Sequence, residues 1–165
     1  MRLPKRGERG FTLIELLIVV AILGVLAAVV IPNVSRFIGR GEEEAINTEF
    51  ANIQAAVSAM MVDNSISTLL MPVLAGGDAT NSMADFPDIT TNTAKGKDIL
   101  GTPYDGNDGR GFVLYQHDRI AGDGGTGNLT NYVAQPTTAY FYTVDATGTI
   151  EQWDAAAGGR NKLNP

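Results

Sequence analysis

Glu15 has the most unusual surroundings of any residue in this sequence. It is the single charge between Phe11 and Ile31, in a run that reads FTLIELLIVVAILGVLAAVVI. An apolar helix crosses a bilayer in about 20 residues, so this run is long enough. A carboxylate near the centre of such a helix costs about 2.5–3.5 kcal/mol, and a residue kept at that cost marks function. The other groups with chemical potential are sparse. His117 is the one histidine, and the chain has no cysteine, which removes thiolate chemistry, thiolate metal sites and disulfides. A Ser/His/Asp site would rest on coincidence, so His117 reads as a structural or strand-end residue and no catalysis is expected. Asp105-Gly106-Asn107-Asp108-Gly109 offers oxygens of the kind a calcium loop uses. It lacks the glycine at loop position six and the glutamate at position twelve, so Asp105, Asn107 and Asp108 are weak candidates. Asp118 and Asp123 are nearby acids, the first reading is a solvated turn, and no metal or cofactor is expected.

The elements that must hold Glu15 begin with a charge asymmetry. Arg2, Lys5, Arg6 and Arg9 precede the apolar run against Glu8 alone, and 8 basic and 17 acidic residues follow. The basic leader places the N-terminus on the cytoplasmic side by the positive-inside rule, and Arg36 and Arg40 oppose it weakly. An acidic remainder disfavours nucleic acid as a partner. A secretory signal places its small-residue cleavage site after the apolar region. Here the small residue, Gly10, comes before it, so a cut there removes Met1–Gly10 and leaves the membrane helix on the product. Pro4 and Gly7 keep the leader out of the helix, where a protease can bind it extended.

Gly10-Phe11-Thr12-Leu13-Ile14-Glu15-Leu16-Leu17, continuing through Ile31-Pro32, resembles the class III signal of type IV prepilins and pseudopilins. The resemblance covers roughly Lys5 to Arg40. It implies cleavage between Gly10 and Phe11 by a prepilin peptidase on the cytoplasmic face and N-methylation of the new Phe11 amine. It implies that Glu15 pairs with the amine of a neighbouring subunit during assembly, and that the stretch from Gly24 to Pro32 loses helicity inside a filament. It further implies an inner-membrane, single-pass precursor and self-polymerisation into an extracellular filament for adhesion, motility or attachment. The partners implied are the assembly platform and its ATPase machinery. The physical reading agrees on Glu15: two isolated charges in apolar surroundings are each costly, and a matched pair much less so. The alternative within the same superfamily is a major pseudopilin of type II secretion. Gly101-Thr102-Pro103-Tyr104 is similar to a loop of those proteins but lacks its tryptophan. A single-pass sensor or enzyme anchor would make Gly10, Phe11 and Glu15 accidents.

The expected architecture is α+β: a long N-terminal helix over about 11–62, packed against a small antiparallel sheet of three or four strands, a pilin-like ladle. Its segments are a leader (1–10), a membrane or filament-core helix (11–32), an amphipathic continuation (33–62) and an extracytoplasmic domain (63–165). Val34, Ile38, Ala45, Ile46, Phe50, Ile53, Val57, Met60 and Met61 recur at three- and four-residue steps, with Glu43, Asn47, Gln54 and Ser58 on the polar side. Pro32 is expected to kink the helix. Ser65–Leu74 reads as a short second helix and 75–111 as loop. Strands are expected at Phe112–Tyr115, Asn131–Val133, Tyr140–Val144 and Thr149–Trp153, the last two joined by the turn Asp145-Ala146-Thr147-Gly148. Asn128-Leu129-Thr130 fits a glycosylation acceptor pattern that chance supplies often in a domain rich in Thr and Asn.

If the peptidase needs a small residue before the cut, Gly10→Ala will be processed more completely than Gly10→Val. Immunoblots of precursor and product will show this difference, and equal processing of the two refutes it.

Overall fold

The computed structural model describes residues 11–90, 95–108, 111–125 and 127–164; the side chains of 32, 33, 35 and 36 are outside that description. The leader and Gly10 therefore lie outside the described residues. Among the described residues one helix, α1 (Leu13–Asp63), is followed by seven strands: β1 (Thr80–Ser82), β2 (Pro87–Asp88), β3 (Phe112–Val113), β4 (His117–Asp118), β5 (Leu129–Thr130), β6 (Thr137–Val144) and β7 (Ile150–Trp153). The architecture is α+β, as expected. The chain divides into two compact units, Met1–Glu44 and Ala45–Pro165.

In the first unit the helix runs without interruption through Gly24 and residue 32. Leu13–Ile31 is long and apolar enough, by length and composition, to cross a membrane, and the chain itself buries none of that stretch.

In the second unit the last turns of α1 supply the core. Ile53, Ala56, Val57, Met60 and Met61 pack with Leu69, Met83, Phe86, Phe112, Leu114, Tyr142, Val144 and Ile150. This is the apolar stripe read from the sequence, and the three-stranded antiparallel sheet β1-β6-β7 lies against it. The helix ends where Ser65 takes a left-handed conformation (φ 55°). Ile66 N donates to Met61 O and Ser65 N to Val62 O, the pair of reversed bonds that closes a helix C-terminus. Glycine is the usual residue at that position. Here the Asn64 amide compensates by donating to the Met60 carbonyl at 2.8 Å.

Polar side chains of the helix hold the sheet in register. Glu49 accepts hydrogen bonds from Ala139 N (3.0 Å), Tyr140 N (3.1 Å) and the Tyr142 hydroxyl (2.8 Å). Gln54 donates to Gly148 O at 2.8 Å and accepts from Ile150 N at 3.1 Å, so it holds the end of the β6–β7 turn and the start of β7. Gln152 is fully buried and donates to the Tyr142 hydroxyl and to Ile46 O, and it accepts from Asn164. Gln54 therefore does not belong to the solvent face that its spacing suggested. Its amide carries one donor and one acceptor group, which is what the backbone of a turn needs.

Four expectations are corrected. Ser65–Leu74 forms no helix, because the buried carboxylate of Asp88 accepts from Leu70 N (2.6 Å) and Met71 N (3.0 Å), and Pro72 bridges to Asp88. The sheet's third strand is β1, from the segment read as loop, paired with β6 across a register shift. Phe112–Val113 leaves that sheet and pairs with β2, which follows the cis bond Phe86-Pro87. Asn131–Val133 is not a strand; Leu129–Thr130 pairs with His117–Asp118 instead. Asn131 turns its side chain to the Gln116 amide (2.7 Å), and Gln116 itself takes a left-handed conformation (φ 54°) that ends β-pairing there.

The predicted β6–β7 turn forms as expected. Asp145 N donates to Thr149 O, and the Asp145 carboxylate accepts from Thr147 N and Thr149 N. Gly148 has φ +87°, and a Cβ there would lie 2.5 Å from Met61 Sδ and 3.4 Å from Val57 Cγ1. Gly148→Ala combines a disfavoured backbone with overpacking, so unfolding should cost on the order of 2–4 kcal/mol less than in the parent. Denaturant melts of the two proteins will measure it.

Candidate assembly site at the start of the helix

The first turn of α1 is built by Thr12 and Glu15. Thr12 N donates to Glu15 Oε2 at 2.8 Å, and Glu15 N donates to Thr12 Oγ1 at 3.3 Å. This is a reciprocal cap: the sequence Thr-x-x-Glu satisfies one orphan amide at each end of the turn. The Thr12 hydroxyl also donates to Glu15 Oε2 at 2.7 Å. Among the described residues Oε1 of Glu15 makes no hydrogen bond or ion pair. Both Thr12 and Glu15 are exposed, and Phe11 immediately before them is 80% exposed. A carboxylate in the first helical turn also meets the positive end of the helix dipole. One oxygen is thus fixed by the cap and the other is presented outward, an arrangement able to accept from an external ammonium.

Thr12 was the residue that sequence reasoning passed over. The signal was present, since Thr followed three residues later by Glu ahead of an apolar run marks a helix start. Gly24 sits within the helix, and a Cβ there would meet nothing within 4 Å. Residue 32 also lies within the helical run.

The weak metal candidates separate. Asp105 accepts from Asn107 N (2.7 Å), and Asp108 accepts from Asp105 N (2.7 Å), so this turn binds its own amides. Asp108 instead meets Asp118 and Asp123, with carboxylate oxygens within 4.8 Å of one another. These three, rather than Asp105 and Asn107, are the residues that could hold a cation. All three already accept from backbone amides: Asp108 from Gly122 N, Asp118 from Ile120 N and Asp123 from Gly125 N. Lys95 lies alongside. Its ammonium donates to Asp118 O at 2.9 Å and sits 4.0 Å from the Tyr104 ring centroid. Burial pushes the Lys95 amine down to about 8 against the opposing pull of Asp118 and Asp108.

His117 is fully buried. Its Nδ1 lies 3.1 Å from Gly111 O and its Nε2 2.9 Å from Asn64 Oδ1, so both ring nitrogens face structural oxygens. Burial, and next the charge of Lys95, push the imidazole down to about 4.

Residues 5–31 match the family described as the prokaryotic N-terminal methylation motif. The relatives are pilus and secretion proteins. The chain is 41% identical over 59 residues to the type IV major fimbrial protein FimA of Dichelobacter nodosus, covering 36% of this chain and 38% of that protein. It is 51% identical over 52 residues to the type IV major pilin protein PilA of Myxococcus xanthus, covering 32% and 22%. It is 34% identical over 58 residues to the type II secretion system core protein G of Klebsiella pneumoniae, covering 35% and 41%. Each match spans less than half the length of the relative. No solved structure matches the chain. The resemblance to type IV pilins read from Gly10 to Glu15 is thus found again in the curated relatives.

Because the His117 imidazole is held neutral in the fold and titrates near 6.5 when free, the unfolded chain binds more protons between those values. Stability from this residue is complete above pH 6.5 and is lost as pH falls towards 4, by at most about 3 kcal/mol. Urea melts across this range should show the decline, and His117→Gln should flatten it.

Proposed function

We propose that this chain is a structural subunit of a type IV pilus. It is made as a single-pass membrane precursor with its N-terminus in the cytoplasm and cut between Gly10 and Phe11 by a prepilin peptidase. The new Phe11 amine is methylated, and the subunit is then polymerised into an extracellular filament by an assembly platform and its ATPase. The acidic domain faces outward, and adhesion, motility or attachment follows from the filament. The chain carries out no catalysis of its own in this reading. Its segments are the leader (1–10), the membrane or core helix (11–32), its amphipathic continuation (33–62) and the outer domain (63–165). Bending or melting between Gly24 and Pro32 lets the filament extend.

The observation that carries this reading is Glu15. It stands at the start of the apolar span Leu13–Ile31, none of which the chain buries, tied by one oxygen to the cap and open at the other. Docking of a neighbour's Phe11 ammonium on the open oxygen removes two unpaired charges at once and fixes the register of helices that would otherwise slide. Similarity to the type II secretion core protein supports a second reading, a short secretion pseudopilus. Native cells would then carry no surface filament, and loss of the chain would block export of a folded protein.

The cap and the charge can be tested apart. Glutamine serves in a capping box as glutamate does. Glu15→Gln therefore keeps the helix start and removes the charge, whereas Glu15→Ala removes both. Both variants should be cleaved normally, and both should lose filaments in electron microscopy of sheared cell surfaces, with mass spectrometry identifying the subunit. Normal filaments from Glu15→Gln overturn the pairing role. A purified mature chain that begins at Met1 overturns the pilus reading.

A further inference from the structure

A second charge pair on α1 repeats the interval of the first. Arg40, Glu43 and Glu44 stand at i, i+3 and i+4, so they share one face of the helix. All three are exposed, and they belong to the same compact unit as Phe11 and Glu15. Among the described residues none of them is ion-paired; the ion pairs there are Arg119–Asp63 and Lys162–Glu151. An arginine placed N-terminal to a glutamate is also the poorer orientation for pairing within one helix. Gly39 and Gly41 flank Arg40, and a Cβ at either would meet nothing within 4 Å, so the approach to the guanidinium is open.

The interval is what identifies the partner. Phe11 to Glu15 is four residues, and Arg40 to Glu44 is four residues. A parallel copy displaced along the helix by four residues, about 6 Å, aligns a positive group with a negative one at both places. Other displacements align one pair or neither, except that a three-residue shift brings Arg40 to Glu43. Copies of a chain with 8 basic and 17 acidic residues after the leader repel one another, which makes a favourable contact at Arg40 selective for register.

We propose that Arg40 of one copy docks on Glu43 and Glu44 of a parallel second copy of this chain, in the register that places the first copy's Phe11 amine at the second's Glu15. The partner class rests on the pilus reading above. The contact lies outside the apolar span Leu13–Ile31, where guanidinium and carboxylate pair in a planar, two-point geometry. It sets a second point on the same helix, so that register is fixed against tilt as well as against sliding.

Charge exchange in the native host tests it. Arg40→Glu alone, and Glu43→Arg with Glu44→Arg, should each lower the yield of sheared filaments at least about tenfold. The triple variant restores complementarity and should return to within about threefold of the parent. A triple variant no better than either parent set overturns the proposal. A second readout does not need filaments. The chain has no cysteine, so Phe37→Cys and Gly41→Cys, four residues apart with all charges kept, can be co-expressed and oxidised in membranes. The mixed disulfide should exceed each like-with-like product by about fivefold or more. Equal yields overturn the register. Mixed disulfide without any filament from the parent chain would sustain the register and overturn the pilus reading.

Discussion

An apolar surface that the chain cannot cover governs the rest of this molecule. Nineteen residues from Leu13 to Ile31 bury nothing against their own chain. Covering one leucine, isoleucine or valine side chain is worth about 1.5–3 kcal/mol, so the exposed span represents a large sum that contacts within the chain do not supply. Neither a bilayer nor other copies have directional preferences of their own. Helices packed by dispersion alone slide and rotate at little cost, and a single carboxylate among them gives direction because it is the costly exception.

The second unit solves a different problem with the same helix. Its core is small, and no disulfide can reinforce it. Register in the β6–β7 ribbon is instead enforced by side chains that reach across from α1, Glu49 to the amides of β6 and Gln54 to the backbone where the turn enters β7. Backbone groups left unpaired in a buried setting are costly, so a helix that offers matched donors and acceptors selects one strand alignment over its neighbours. Tyr142 and Gln152 carry that specification inward, and Asn164 extends it to the end of the chain.

The helix and its ribbon were legible because their signals are local. Apolar residues at three- and four-residue steps delimit α1 to within a residue or two, and Asp-Ala-Thr-Gly between two aromatic or β-branched runs announces a turn. The rest depends on partners distant in sequence. Thr80-Asn81-Ser82 has no alternation and becomes a strand because β6 offers an edge. Ser65–Leu74 has an acceptable helical composition, yet the buried carboxylate of Asp88 takes two of its amides from 17 and 18 positions away. At the start of α1 the acid and its place in the apolar run could be read, while the cap that holds one oxygen of Glu15 shows only in the fold. In the acidic loops the sequence pointed to Asp105, Asn107 and Asp108, and folding gathers Asp108 with Asp118 and Asp123 instead.

The reciprocal cap of Thr12 and Glu15 bears on maturation. Helical hydrogen bonding begins at residue 12, so the peptide bond between Gly10 and Phe11 lies upstream of every helical bond among the described residues. Scission there would break no helical hydrogen bond and unwind no turn. The helix from Leu13 onward would keep its bonds, while a neutral amide at Phe11 N would become an ammonium. Such a cut would change the charge beside Glu15 and leave its cap as it is.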